Sequence, residues 1–291
     1  MAAVSLKSIA CFIMKQVCRM LRISEKDEKD VREFQTLHVE AKDKGFGRIF
    51  RSPSLFEDAV KSILLCNCTW KRSLEMAKAL CELQQKVIDL KPIGKRARYL
   101  RNQAENVSGK KVKGQVTGDF PSAKELASLD EDFLKQHCKV GYRSKSIIQL
   151  AKEYKKGTSM LNEVEEVLDS TNSYKKIHRK LLKIKGFGRF ASATVMMCIG
   201  CYEYVTIDSE TIRLLHKIHA MENCTEATVK EDVKRIYEKY EPFQSLAYWF
   251  ELLCDYEDEV GKLSELPHSS YHSVSGRLFH SGALKQELRS S

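Results

Sequence analysis

Apolar residues recur every three to four positions along most of this chain, and that period constrains its fold more than any other feature. The stretches that carry it are roughly 6–22, 26–43, 53–66, 71–84, 122–136, 143–156, 173–184, 189–200, 209–220, 226–239 and 243–256. Such a pattern puts one apolar stripe on each helix, and each stripe needs a second helix to cover it. Ser52-Pro53 precedes the third stretch and Pro121-Ser122 the fifth, both in keeping with helix starts. Strand-like alternation is short and confined to Val112–Val116. Five prolines and fourteen glycines in 291 residues are too few for a turn-dense β architecture. The expected class is all-α.

Three stretches break the pattern. Residues 91–113 hold eight basic side chains and one acid, with Gly94, Gly109 and Gly114 nearby, which reads as a loop or short insertion. Residues 163–169 are acidic and read as a connector. Beyond about residue 264 the chain turns Ser/His-rich with little apolar period, so 265–291 is expected to be a disordered tail. This leaves an N-terminal helical segment at 1–50 and a main helical domain at 51–264, and no internal repeat is visible.

The charge narrows the partners. Lys and Arg outnumber Asp and Glu by ten, with a pI near 9.0, a balance that suits nucleic acid first and an anionic membrane surface second. No run of 18 apolar residues is present to span a bilayer. Cys66, Cys81, Cys198 and Cys254 fall among apolar helical residues with no secretory signal before them, which reads as free, buried thiols in a reducing compartment. Cys198-Ile199-Gly200-Cys201 is a lone CxxC with no second pair, so no metal site is expected. His216 and His219 are read the same way, and Trp70 and Trp249 as core. The first 24 residues carry Lys7, Lys15, Arg19 and Arg22 and no acid. Either they are an organelle transit segment or, the reading preferred here, an amphipathic helix with Val17, Met20 and Leu21 turned inward.

The most informative segment runs from Leu181 to Ala193. A helix ends at Gly186-Phe187-Gly188 and another begins at once with small residues. Glycines permit a turn that leaves the N–H groups of the new helix facing outward, where they and the helix dipole suit a phosphate oxygen. Between Tyr174 and Phe190 stand seven basic residues, Lys185 and Arg189 among them, and no acid. A plain αα-hairpin with a solvated basic face is the other reading. Further on, Asp208 precedes a helix after the apolar Val205 and Ile207. It is either an N-cap or a carboxylate with a chemical task, and the two roles are compatible.

This segment resembles the helix-hairpin-helix of the DNA glycosylase superfamily, and the resemblance spans about residues 52–256. Asp208, in Val205-Thr206-Ile207-Asp208, matches the family's catalytic aspartate. Leu55–Leu64 is similar to the family's first helix. Gly141-Tyr142-Arg143-Ser144-Lys145 looks like a segment of the 8-oxoguanine and 3-methyladenine branches. Tyr240–Tyr248 resembles their W-x-P-W-x-S-x-A signature. The resemblance implies a helix-hairpin-helix glycosylase fold of two helical lobes about a cleft, acting as a monomer on double-stranded DNA in base excision repair. Asp208 would stabilise the positive charge on the sugar as the N-glycosidic bond breaks. Lys185, Gly186, Phe187, Gly188 and Arg189 would grip phosphate, Tyr142 with Arg143 would fill the gap left by a flipped base, and Asn67 would contact the orphaned partner base.

Bifunctional members carry a lysine where this chain has Phe190, which implies hydrolysis without strand cleavage and an aromatic pocket wall suited to a cationic, alkylated base. Removal of an oxidised purine or uracil, or DNA binding without catalysis and with Asp208 kept as a cap, are the competing readings. Four closely spaced cysteines after the last helix are absent, so no iron–sulfur cluster is expected. No other cofactor is implied, apart from room for a monovalent cation at the hairpin. The N-terminal β domain of the two nearest branches is expected to be missing or truncated. Glu210 stands where several branches have His. The implied location is the nucleus, with mitochondrion or chloroplast as alternatives.

Overall fold

The computed structural model describes residues 6–83, 118–167 and 174–276. The Val112–Val116 strand and the basic stretch 91–113 lie outside them. The described residues contain helices and no strand. In chain order these are α1 (Leu6–Leu21), α2 (Glu25–Leu37), α3 (Val39–Asp43), α4 (Leu55–Leu65), α5 (Trp70–Cys81), α6 (Ala123–Leu126) and α7 (Glu131–Cys138). Then come α8 (Arg143–Lys155), α9 (Met160–Val167), α10 (Tyr174–Leu181), α11 (Arg189–Cys198), α12 (Ser209–His219), α13 (Val229–Tyr237) and α14 (Gln244–Val260). None is long and apolar enough to cross a membrane.

Two apolar cores organise these helices. The first forms where α4 packs along α11, with α5 to α10 around them; Phe56, Val60, Ile63, Leu134, Ile147, Leu181 and Val195 are among its buried members. The second joins α2 and α3 to α12, α13 and α14 through Phe34, Leu214, Leu215, Val233, Tyr237 and Leu246. Helix α11 belongs to both, since Val195 and Met196 enter the first core and Met197 the second. Helix α11 therefore joins the two cores.

The N-terminal helices are tied into this body. Arg22, 1% exposed, donates to the carbonyls of Ile49, Met197 and Cys198, pairs with Asp27 and lies over the Tyr202 ring. Arg51 also donates to the Cys198 carbonyl, and Arg19 binds Asp58 at the start of α4 and the Ser52 carbonyl. Guanidinium groups thus satisfy the carbonyls at the negative end of α11, the end where cations are favoured. Of the α1 residues expected to turn inward, Val17 and Met20 are half-buried but Leu21 is exposed.

Several boundaries differ from the periodic reading. The 26–43 stretch breaks at His38, whose Nδ1 accepts the Ala41 amide and starts α3. The 122–136 stretch splits because Asp130 caps a second helix. Residues 163–167, expected within a connector, are helical: α9 buries Leu161 and Val164, while Glu163 pairs with Lys180 and Glu165 accepts from the Tyr154 hydroxyl. Of the expected disordered tail, 277–291 lie outside the described residues, and 265–276 make polar contacts that leave no apolar period. They include a 3-10 turn at His268–Ser273 packed on α5, where Trp70 Nε1 donates to the Tyr271 carbonyl at 2.8 Å. Trp70 is accordingly a surface residue, 40% exposed, and not a core one, whereas Trp249 packs against the second core.

Cys198 and Cys201 are buried, and burial pushes each thiol up to about 12. His216 faces the Cys224 carbonyl and His219 the Glu251 carboxylate. Among the described residues no group of three or more His, Cys, Asp or Glu side chains is placed to hold a metal ion.

Candidate active site

The hairpin is built by α10, a seven-residue turn and α11. Ile177 and Leu181 anchor α10 in the first core, and Ile184 and Phe187 plug the turn from beneath, the Phe187 amide donating to the Ile184 carbonyl at 3.0 Å. Gly186 has φ +91°, and a Cβ there would stand 2.6 Å from Ser146 Oγ on α8. Both conformation and space therefore require glycine. Gly188 is the N-cap of α11 and supplies no side-chain acceptor; open space surrounds the position of a Cβ. The first amides of α11 thus keep their donors for an outside oxygen. Lys185 and Arg189 are exposed beside them, whereas the Phe187 side chain is buried, so only its backbone is available to a ligand. Phe190 is half-buried on the first turn of α11.

The loop after α11 presents Asp208. The Ser245 amide donates to the Tyr202 carbonyl at 2.8 Å and Ser245 Oγ to the Tyr204 carbonyl at 2.6 Å, so α14 pins the loop from behind. The ring of Tyr204 stacks on His178 of α10, centroids 4.2 Å apart, which ties this loop to the hairpin. Asp208 caps α12: its Oδ1 accepts the Glu210 amide at 3.0 Å and the Thr211 amide at 3.1 Å. Oδ2 has no hydrogen-bond partner among the described residues, and the residue is open to solvent. Protein packed around its sides raises the carboxyl above the usual aspartate range, as does the Glu210 charge, while the Thr211 and Glu210 amides pull it down. An acceptor with one oxygen locked and one free can, when ionised, face a developing cation.

Tyr142 and Arg143, paired in the sequence reading, part company. Tyr142 is 66% exposed, but Arg143 is 5% exposed and turned inward. Its guanidinium donates to the carbonyls of Ile63, Cys66 and Asn67 and carries the Tyr142 ring at 4.6 Å. Arg143 is thus not at the surface beside Tyr142: its donors close the end of α4. It also brings the exposed Asn67, at φ +47°, next to the exposed Tyr142. The ordered tail joins that corner to the Asp208 side, since the Gly276 amide donates to Glu210 Oε2 at 3.2 Å. Ser245 and Tyr248, quoted above only as part of a signature, and Thr211 have a role not assigned from the sequence: they hold the Asp208 loop. The D-x-x-T spacing of Asp208 and Thr211 was the available signal, a variant of the capping box.

The arrangement is that of the helix-hairpin-helix DNA glycosylase fold. Among solved structures it is similar to the Clostridium acetobutylicum 8-oxoguanine glycosylase/lyase in its apo form, at 18% identity and a TM-score of 0.57 over 85% of this chain and 76% of that one. The same protein bound to double-stranded DNA with cytosine opposite 8-oxoguanine gives 17% and 0.56 over 82% and 73%. The 3-methyladenine DNA glycosylase of Archaeoglobus fulgidus gives 17% and 0.57 over 87% and 77%. At such identities the likeness is one of fold. No protein-family profile and no curated protein sequence matches the chain.

Proposed function

We propose that this chain is a DNA N-glycosylase of base excision repair, a monomer that hydrolyses the N-glycosidic bond of a damaged, alkylated base without cleaving the strand. The observation that carries the reading is Asp208: its carboxylate has one oxygen held by the cap and the other free, on a loop tied to an uncapped, basic hairpin. The α11 amides with Lys185 and Arg189 hold the backbone, Tyr142 enters the stack, and Asn67 meets the partner base. The C1′–N bond then breaks with its electron pair going to the base. An alkylated purine is already cationic, so it leaves neutral and needs no proton from the protein. Ionised Asp208 stabilises the sugar cation, and water adds its oxygen to C1′ and releases a proton.

Phe190 supports the absence of a lyase step, because no amine stands at that place to form a Schiff base, and its ring face attracts a cationic base. The 8-oxoguanine enzymes among the fold's neighbours favour an oxidised purine as the second substrate class. A monovalent cation suits the hairpin through main-chain carbonyls alone, since 174–190 has no carboxylate, and it would supply a weak charge beside the phosphate. The test is release of free base from duplexes that each carry one alkylated, oxidised or deaminated base. Release from an alkylated duplex, with no covalent adduct on borohydride treatment, is the expected result. A trapped adduct would refute the monofunctional reading, and no release from any duplex would refute the enzyme.

A further inference from the structure

Asp208 is held by more than a helix cap requires. In the usual capping box the third residue is Glu or Gln, reaching back to one amide. Here it is Thr211, fully buried, and its Oγ1 has four polar neighbours: the Asp208 amide at 3.1 Å, Asp208 Oδ1 at 3.3 Å, the Thr206 carbonyl at 3.1 Å and Tyr248 Oη at 3.1 Å. Tyr248 is 2% exposed and comes from α14, the helix that also pins the loop through Ser245.

We propose that Thr211 and Tyr248 are positioning residues for the Asp208 carboxylate, a buried hydroxyl pair that shares one proton with Asp208 Oδ1, favours its ionised form and leaves Oδ2 presented. The proposal rests on the reading of Asp208 as the reacting group. Proton accounting supports it. Tyr248 has one hydroxyl proton and Thr211 Oγ1 as its hydrogen-bond partner, so in a buried site it donates there. The Asp208 amide donates to the same oxygen, and the two donors fill its lone pairs. The single Thr211 proton is then shared between the Thr206 carbonyl and Asp208 Oδ1. If Thr211 donated to Tyr248 instead, the tyrosine proton would be buried without an acceptor.

The charged and titratable surroundings leave this proton as a tuning device. Glu210, on the same helix, opposes ionisation of Asp208 but is itself compensated by Arg213 Nε at 3.0 Å and by the Tyr256 hydroxyl of α14 at 3.0 Å. Arg213 in turn binds the buried Asp255 of α14 at 2.6 Å. On the hairpin side, His178 faces Tyr204 of the loop and not Asp208.

The test is a carboxyl carbon-13 NMR titration of Asp208 in the full chain, its signal assigned by loss in Asp208→Asn. Thr211→Val removes the donor to the charged form, so the Asp208 midpoint moves to higher pH; Thr211→Ser keeps the hydroxyl and the wild-type midpoint. Tyr248→Phe moves it the same way by a smaller amount and carries the test should Thr211→Val not fold. Base release by Thr211→Val should fall about tenfold near neutral pH, its acid limb moving upward with the midpoint, because a bond to a charged group is worth about that factor. A residue that only capped the helix would lower the melting temperature and leave the midpoint in place. An unchanged midpoint in both Thr211→Val and Tyr248→Phe overturns the proposal. Since the titration needs no substrate, it decides the matter even if the wild-type chain releases no base, the result that would instead refute the glycosylase reading.

Discussion

Gly188 and Asp208 both occupy N-cap positions, and their difference states the division of labour in the site. Asp208 fills its own cap with a carboxylate, which locks one oxygen and leaves the other free. Gly188 supplies nothing, so the first turn of α11 keeps its donors for an external anion. Gly188→Asp should therefore separate stability from binding. The new carboxylate has room and can cap α11, which adds a few tenths of a kcal/mol or leaves stability unchanged. It also places a negative charge where phosphate would sit, so affinity for any duplex should drop about tenfold or more. Melting curves and fluorescence anisotropy check the two halves; a variant that binds undamaged duplex as well as wild type would count against the hairpin as the grip.

At the level of elements, the decisive joint is α11. Its front end has no side-chain cap, and its back end is closed by Arg22 and Arg51, so the N-terminal helices brace the helix that carries Phe190. Arg22→Met should cost about 3 kcal/mol or more in urea unfolding, because Asp27 and the α11 carbonyls lose their buried partner. A loss under about 1 kcal/mol would show that water replaces the guanidinium. Most of the helices were legible from apolar period alone, and the hairpin from Gly-Phe-Gly between basic flanks. The break at His38 was not, because an imidazole cap gives no recognisable local signal. Helix α9 was hidden because its acids dominate the composition of a segment whose two buried residues, Leu161 and Val164, are enough to seat it. Arg143 and Arg22 were illegible for a different reason. Sequence does not distinguish an arginine that meets solvent from one whose donors saturate distant carbonyls, and those carbonyls lie about 80 and 175 positions away.

Over the whole molecule the excess charge is divided and not diffuse. Residues 203–265 carry a net −8, and the rest of the chain +18, with seven of the basic side chains between Tyr174 and Phe190. The basic hairpin and the acidic second lobe meet at the Asp208 loop, where the His178–Tyr204 stack joins them. On the proposed function, that polarity would orient a duplex toward the hairpin and leave one carboxylate of the acidic lobe at the junction. The same carboxylate carries a stability cost. Its carboxyl is raised in the folded protein, so the folded state binds the proton more tightly than the unfolded chain. The associated stabilisation is present at low pH and is lost as pH rises through the folded value. Asp208→Asn should consequently melt no lower than wild type at neutral pH, and its advantage should shrink on acidification. The same variant makes the most direct test of the account: single-turnover base release from an alkylated duplex, measured beside duplex affinity, for wild type and Asp208→Asn. Base release should be lost by about a thousandfold or more while affinity stays within about threefold. Base release unchanged in Asp208→Asn would contradict it.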